Sequence, residues 1–217
     1  MIRTLICVDR DGTLINDTKD HLYLGKENDW KTRVRFLPHV IEGIKAINNI
    51  PDSSLYMLTN QSGVAISDFP LLTEGRAHEV CKYVIKKIEE MGGRIDGYIL
   101  CPHVNRAYVE RHKQYQFDER FVCDCNCIKP APGMVLDALK SAGGIPGKTA
   151  VFIIGDRVSD IKAALNMGGT GILIPFANQP GEDEKTRELP QQTRIHIAQD
   201  LLNAAEFIER ALRLAKQ

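Results

Sequence analysis

The sequence lacks an excess of charge of either sign. Its 217 residues include 28 Lys and Arg and 28 Asp and Glu, so the formal net charge is zero. Proteins that bind nucleic acids or anionic membrane surfaces usually need a surplus of Lys and Arg. The balance therefore argues against nucleic acid or a membrane as a general partner, and it leaves room for a local charged site.

Long apolar runs are also missing. No stretch approaches the ~20 apolar residues of a transmembrane helix. The apolar start, residues 1–8, stops at Asp9 without the cleavage pattern of a signal peptide. We therefore expect a cytoplasmic protein, in which thiols stay reduced. Its six cysteines should then be free thiols or metal ligands rather than disulfides.

Short apolar runs alternate with segments of helical period. The runs predict five strands, at 5–8, 55–58, 98–100, 150–154 and 171–175. Helices are predicted after Pro38, over 77–91, after Pro132, from a cap at Ser159, and over 197–212. This alternation predicts an α/β fold, with a Rossmann-like parallel sheet and helices on both faces.

The length suits one domain. We expect a single domain over 1–217, with a core at 1–176 and a linker plus C-terminal helix at 177–217. The segment 104–128 has neither a helical nor a strand period, so it is predicted to be irregular. No separate cap domain is visible, and we expect a monomer.

Residues whose side chains suit catalysis or ligand binding follow the predicted strands. They are Asp9 and Asp11, Thr59 and Asn60, Cys101 and His103, and Asp156 with Arg157. In an open parallel sheet, ligands bind beyond the carboxyl ends of the strands. The sequence therefore predicts one functional site at that edge of the sheet.

Asp9 and Asp11 place two carboxylates close together after a buried strand. Such groups repel, so one is pushed towards its protonated form unless a cation intervenes. The pair suits a nucleophile or metal ligand beside a general acid–base. Asp156 adds a third carboxylate and, with Asp160, can complete an oxygen site for Mg²⁺. Asp160 is equally compatible with a plain charge at a helix N-terminus.

Three further residues suit a phosphate group. Thr59 offers a hydroxyl, Asn60 a main-chain amide and Lys129 a point charge. Taken singly, each residue can also be explained without a ligand, as the end of a strand or as a solvated side chain. Phosphoryl transfer needs a nucleophile, a divalent cation and fixed positive groups together. The set therefore indicates a small phosphorylated metabolite as the substrate.

In order and position these motifs resemble the haloacid dehalogenase superfamily of phosphohydrolases. The four matching segments are residues 8–13, 58–60, Lys129 and 155–160. The resemblance implies that Asp9 is the nucleophile that becomes an aspartyl-phosphate. It also implies that Asp11 protonates the leaving group and later activates water.

The same resemblance implies the ligands. Mg²⁺ would be held by Asp9, the main-chain carbonyl of Asp11, and Asp156. Thr59 and Lys129 would bind the phosphoryl group. Asn60 and Arg157 are expected to assist in binding phosphate or substrate.

A cysteine-rich loop narrows the family. Cys101 and His103 are followed by Cys123, Cys125 and Cys127. Four or five soft ligands in two tight groups suit a tetrahedral structural Zn²⁺. The pattern resembles a zinc-loop subgroup that includes D-glycero-D-manno-heptose 1,7-bisphosphate 7-phosphatases and histidinol-phosphate phosphatases. That resemblance selects Cys101, His103, Cys125 and Cys127, with Cys123 and Cys125 as an alternative pair.

Two features depart from the subgroup. Ile128 stands where an Arg is usual, and the loop between His103 and Cys125 is longer than in the subgroup.

We expect a Mg²⁺-dependent phosphomonoesterase acting on a small sugar phosphate such as heptose bisphosphate, with histidinol phosphate as the alternative. Two other hypotheses are a non-catalytic zinc-loop binding module and a phosphatase of nucleic-acid termini. The intact set of Asp9, Asp11, Thr59, Lys129 and Asp156 argues against the first, because a binding module has no need for a nucleophile.

Overall fold

The computed structural model of the protein describes residues 4–16 and 22–215. Its strands are β1 (Thr4–Val8), β2 (Ser53–Asn60), β3 (Gly97–Cys101), β4 (Ala150–Gly155), β5 (Thr170–Leu173) and β6 (Ile195–Ile197). They form one sheet in the order β3-β2-β1-β4-β5-β6, and every pair of neighbours is parallel.

Helices connect these strands. They are α1 (Val40–Asn48), α2 (Glu74–Glu90), α3 (Arg106–Arg111), α4 (Gly133–Ser141), α5 (Val158–Asn166), α6 (Glu182–Arg187) and α7 (Leu201–Leu214). No helix within the described ranges has the length and apolar character needed to cross a membrane.

The two faces of the sheet bury two separate apolar clusters. Successive side chains of a strand point to opposite faces, and β1 is buried on both. Ile6 and Val8 pack in a cluster with α1, α2 and α7, whereas Leu5 and Cys7 pack in a cluster with α4 and α5. The predicted parallel sheet with helices on both faces is therefore confirmed.

The strand order reverses direction around β1, at the centre of the sheet. From β1 the chain first adds β2 and β3 on one side, and it then crosses to β4, β5 and β6 on the other. Val8 pairs with both Met57 and Ile154, so the residues after these three strands leave the sheet side by side. Such a reversal opens a crevice at the carboxyl ends of the strands.

The segment 104–128, predicted to be irregular, contains α3 and a 3₁₀ turn at Glu119–Phe121. The prediction of no helix was wrong because α3 has six residues and buries none of them. An apolar period therefore does not reveal it. The local signal was the cap Asn105, whose side chain accepts a hydrogen bond from the main-chain N–H of Tyr108 at 2.8 Å.

Two other boundaries differ from the predictions. Ile197 lies in β6 rather than in the last helix, and the predicted linker holds α6. Ser159 does not cap α5. That helix begins after Arg157, and the carboxylate of Asp160 accepts the main-chain N–H of Arg157 at 3.2 Å. A three-residue strand followed by an amphipathic helix has too little period of its own to be separated in sequence.

Candidate active site

Three buried carboxylates meet at the carboxyl edge of the sheet. Asp9 follows β1, Asp156 follows β4, and Asp160 lies in the first turn of α5. Each contributes one oxygen to a group whose atoms all lie within 4.8 Å of one another. The main-chain N–H of Asp9 donates to the carbonyl of Ile154 at 2.9 Å, which fixes the end of β1 against β4.

Lys129 places one ammonium group in this acidic cluster. Its Nζ lies 2.5 Å from Oδ1 of Asp9 and 2.6 Å from Oδ1 of Asp160. Burial disfavours the charged ammonium, but Asp160 and Asp9 outweigh it and raise the pKa of Lys129. Lys129 is therefore a fixed positive charge, and its bond to Asp9 sets the rotation of that carboxylate.

One ammonium does not balance three carboxylates. Burial, reinforced by Asp9 and Asp160, raises the pKa of Asp156 to about 9. Burial also raises the pKa of Asp9 to about 6, although Lys129 opposes the shift. If all three carboxylates are ionised, two negative charges remain, which is the charge that a divalent cation neutralises.

The carboxylate of Asp156 is the clearest indication of a cation. Neither of its oxygens has a hydrogen-bond partner among the described residues, although the side chain is fully buried. Arg157 forms only a long salt bridge with it, in which Nε lies 3.9 Å from Oδ2 of Asp156. A buried charge without a partner is costly, and hard oxygen ligands suit Mg²⁺. These residues therefore fit the predicted metal.

Gly12 brings the turn after Asp11 directly against Asp156. A Cβ at this position would lie 2.3 Å from Oδ2 of Asp156, and the backbone has a φ of +82°. Both facts require glycine here. The close approach keeps the main chain of this turn beside the carboxylate cluster.

The side chain of Asp11 lies apart from this cluster and lines the cleft. Arg10, which is fully buried, donates to it through Nη2 at 2.8 Å and Nε at 3.0 Å. Gln61 donates its Nε2 to Oδ2 of Asp11 at 2.8 Å. These bonds hold Asp11 in one orientation at the cleft, as proton transfer requires.

The residues after β2 tie the site together. Gln61 also donates to Oγ1 of Thr59 at 2.7 Å, and Thr59 is only 1% exposed. The side chain of Asn60 accepts the main-chain N–H of Lys129 at 3.2 Å. Arg10 and Gln61 were not predicted as site residues, although each is adjacent in sequence to a residue that was.

A cleft of about 650 Å³ lies over these residues. The predicted residues that line it are Asp9, Asp11, Asn60, His103, Lys129 and Arg157. Tyr108, Arg111 and His112, from the segment predicted to be irregular, form another part of its wall. The lining of the cleft therefore extends beyond the residues of the sequence motifs.

Four soft ligand atoms form a second group beside the cleft. Cys101, His103, Cys125 and Cys127 each place one ligand atom within 4.8 Å of the others. The sulfurs of Cys101 and Cys125 are 3.8 Å apart, which is the separation of about 3.8 Å expected for thiolates on a tetrahedral Zn²⁺, whereas those of Cys125 and Cys127 are closer, at 2.9 Å. The residues therefore fit the predicted ion.

Cys123 is exposed and lies outside this group of four. Burial raises the pKa of Cys101 and raises that of Cys127 to about 11. Without a metal these two thiols therefore hold their protons at neutral pH. Metal binding would displace these protons from the thiols.

Comparison with known proteins gives matches to a hydrolase family model, to heptose bisphosphate phosphatases and to HisB proteins. The HAD-hydrolase-like family model matches residues 126–204. A D-glycero-beta-D-manno-heptose-1,7-bisphosphate 7-phosphatase from Photorhabdus laumondii is 32% identical over 170 residues, which cover 78% of this chain and 79% of the relative. The HisB protein of Blochmanniella floridana, a histidine biosynthesis bifunctional protein, is 29% identical over 169 residues. The match covers 77% of this chain but only 40% of HisB.

Solved structures share the fold. A D,D-heptose 1,7-bisphosphate phosphatase from B. bronchiseptica, complexed with magnesium and phosphate, superposes with a TM-score of 0.72. The match covers 96% of this chain and 99% of that one, at 23% identity. With the buried carboxylates and the ordered motifs, these likenesses place the chain: it belongs to the haloacid dehalogenase-like hydrolases, alongside the heptose bisphosphate phosphatases.

Proposed function

We propose that the chain is a Mg²⁺-dependent phosphomonoester hydrolase that works through an aspartyl-phosphate on Asp9. The observation that carries this proposal is the buried carboxylate of Asp9, held by Lys129 at 2.5 Å at the base of the cleft. A carboxylate fixed in this way, beside a second carboxylate that can transfer protons, suits nucleophilic catalysis.

The first step transfers the phosphoryl group to the protein. A carboxylate oxygen of Asp9 attacks phosphorus, the bond from phosphorus to the ester oxygen breaks, and Asp11 protonates the departing alcohol. In the second step Asp11 takes a proton from water, the water oxygen bonds to phosphorus, and the bond from phosphorus to the Asp9 oxygen breaks. Inorganic phosphate leaves and Asp9 is restored. The bonds from Arg10 and Gln61 hold Asp11 for both transfers.

Mg²⁺ would be held by the carboxylates of Asp9 and Asp156 and by the main-chain carbonyl of Asp11. When bound, it would neutralise charge on the phosphoryl oxygens. Asp160 would act through Lys129, with which it forms an ion pair at 2.6 Å. Lys129 would also attract the phosphoryl group, with Asn60 and Arg157 at the edge of the cleft and Thr59 below it.

We propose a structural role for Zn²⁺, bound by Cys101, His103, Cys125 and Cys127. Because Cys101 ends β3 and Cys127 lies two residues before Lys129, the ion would join the sheet to the loop that carries the lysine. This ion would thereby fix the loop that brings Lys129 to Asp9. A cytoplasmic location and a monomeric state stay predictions.

The substrate that we propose is a small sugar phosphate such as D-glycero-D-manno-heptose 1,7-bisphosphate. The support is that two relatives, which match this chain over most of their own length, are heptose bisphosphate 7-phosphatases. Histidinol phosphate is the second candidate, supported by the 29% identity to HisB. Each can be offered to the purified protein with Mg²⁺ while released phosphate is measured.

A generic substrate separates catalysis from simple binding. p-Nitrophenyl phosphate with Mg²⁺ should be hydrolysed, and omission of Mg²⁺ should stop the reaction. A protein that hydrolyses neither this ester nor the two metabolites would instead be the non-catalytic zinc-loop module. The ratio of kcat/KM between heptose bisphosphate and histidinol phosphate then decides the substrate.

A further inference from the structure

One wall of the cleft comes from a segment outside the catalytic motifs. Residues 104–112, which include α3, contribute Tyr108, Arg111 and His112 to the lining. The motif residues that face the same cleft lie at the ends of strands, in loops or, for Asp160, in the first turn of α5. Any part of a substrate that extends beyond Asp9 and Lys129 can therefore meet this wall.

The wall is fastened to two other sides of the cleft. The hydroxyl of Tyr108 lies 3.0 Å from that of Tyr23 and 3.0 Å from Oγ of Ser62. Its ring stacks on His112 at 4.0 Å, and Nδ1 of His112 donates to the main-chain carbonyl of Tyr108 at 2.8 Å. Groups on this wall are therefore held in place before a ligand arrives, which favours binding.

The positively charged side chains that line the cleft differ in whether a carboxylate lies beside them. Arg10 pairs with Asp11 at 2.8 Å, and Lys129 is held by two carboxylates. Arg111 is exposed, and no carboxylate in the described part of the chain lies within 4.0 Å of its guanidinium. A guanidinium carries donors in the fork that matches phosphate or carboxylate. The guanidinium of Arg111 is thus able to bind an anionic group of a ligand.

We propose that Arg111 binds a second phosphoryl group of the substrate, distant from the one that Asp9 attacks. The substrate class is then a bisphosphorylated sugar. This inference rests on the proposed function and chooses between its two candidates, since histidinol phosphate carries an ammonium group that Arg111 would repel. Tyr108 is a positioning residue that holds the wall on which Arg111 stands.

The test compares one bisphosphate with its matched monophosphate. We would measure kcat and KM for heptose 1,7-bisphosphate and for heptose 7-phosphate, with wild type and Arg111→Gln. The variant should lower the ratio of kcat/KM, bisphosphate over monophosphate, by about tenfold or more, mainly through KM, because it loses a charge-assisted contact. Arg111→Lys should recover part of the ratio, since it keeps the charge but not the fork.

Arg106→Gln is the matched control. Arg106 lies on the same helix, but its guanidinium pairs with Glu119 at 2.6 Å. Its loss should leave the ratio and the activity as in wild type. An Arg111→Gln variant with a wild-type ratio, or a wild-type enzyme that treats the two heptose phosphates alike, would overturn the inference. Absence of phosphate release by wild type from p-nitrophenyl phosphate, from the heptose phosphates and from histidinol phosphate would instead refute the proposed function.

Discussion

Lys129 Nζ lies 2.5 Å from Oδ1 of Asp9, joining residues that are 120 positions apart in the sequence. Both side chains are buried. The contact fixes the proposed nucleophile at the end of the central strand and brings a positive charge to the place where a phosphoryl group would sit. The ion pair with Asp160 at 2.6 Å holds the ammonium from its other side.

Replacement of this lysine should cost both stability and activity. Lys129→Met leaves Asp9 and Asp160 buried without their cation, and loss of one partner of a buried pair costs about 3–5 kcal/mol. Denaturant unfolding in Mg²⁺-free buffer measures the loss, and phosphate release should fall with it. Lys140→Met, on the exposed side of α4, is the control and should stay within about 0.5 kcal/mol of wild type. Equal stability of the two variants would contradict the assigned ion pairs.

Stability in the absence of Mg²⁺ should fall as the pH rises. The pKa of Asp156 is raised from 3.8 to about 9 by burial and by its acidic neighbours. Between these values the folded protein keeps a proton that the unfolded chain releases, so the free energy of unfolding decreases with pH. Mg²⁺ competes with that proton, so its stabilising effect should grow by up to about 1.4 kcal/mol per pH unit.

Thermal unfolding at pH 6 and pH 8, with and without Mg²⁺, measures this dependence. The upward shift in Tm caused by Mg²⁺ should be larger at pH 8. Asp156→Asn, which has no proton to exchange in this range, should lose most of the difference, and the remainder reflects Asp9, whose pKa is about 6. A shift in Tm of the same size at both pH values would show that Asp156 does not bind the metal in competition with a proton.

Gly12→Ala should disturb the carboxylate cluster. Its Cβ would lie 2.3 Å from Oδ2 of Asp156, whereas a Cβ at Gly147 would meet nothing within 4 Å. Both glycines have positive φ, +82° and +74°, so Gly147→Ala measures the backbone strain alone, about 1–2 kcal/mol. Gly12→Ala should cost about 1–3 kcal/mol more and weaken Mg²⁺ binding. Denaturant unfolding measures both variants. If Gly12→Ala and Gly147→Ala lost the same free energy of unfolding, the close contact would be disproved.

Zinc analysis distinguishes the two possible cysteine pairs. The purified protein should hold about one Zn²⁺ per chain, as four-coordinate structural sites do. Cys127→Ser should lose the ion, while Cys123→Ser should keep it because Cys123 lies outside the group of four. Metal content by mass spectrometry gives the answer. Retention of zinc by Cys127→Ser and its loss from Cys123→Ser would reverse the assignment.

The sequence was sufficient for the sheet and for the approach of Asp9 to Asp156. Both residues follow apolar runs that are buried strands, and parallel strands carry the residues after them to one edge. The approach of Lys129 was expected only from the family resemblance. Its contact with Asp160 was not predicted, because the direction of a side chain in a first helical turn depends on what packs against it.

The wall of the cleft was beyond the sequence analysis for a different reason. Tyr108 and Arg111 lie on a short helix without an apolar face, so periodicity says nothing about their placement. Hydrogen bonds to Tyr23 and Ser62 fix that placement, and these contacts join three separate parts of the chain. Long-range polar contacts of this kind leave no repeating pattern in sequence.

The most direct test of the account is the turnover of Asp9→Asn. Phosphate release from p-nitrophenyl phosphate with Mg²⁺ should be readily measured for wild type and should fall by at least about a thousandfold in the variant, as expected when a nucleophile is removed. Circular dichroism and zinc content should match wild type, because the substitution is nearly isosteric and replaces none of the four proposed zinc ligands. Near-normal turnover by a folded, zinc-loaded Asp9→Asn protein would contradict the aspartyl-phosphate mechanism.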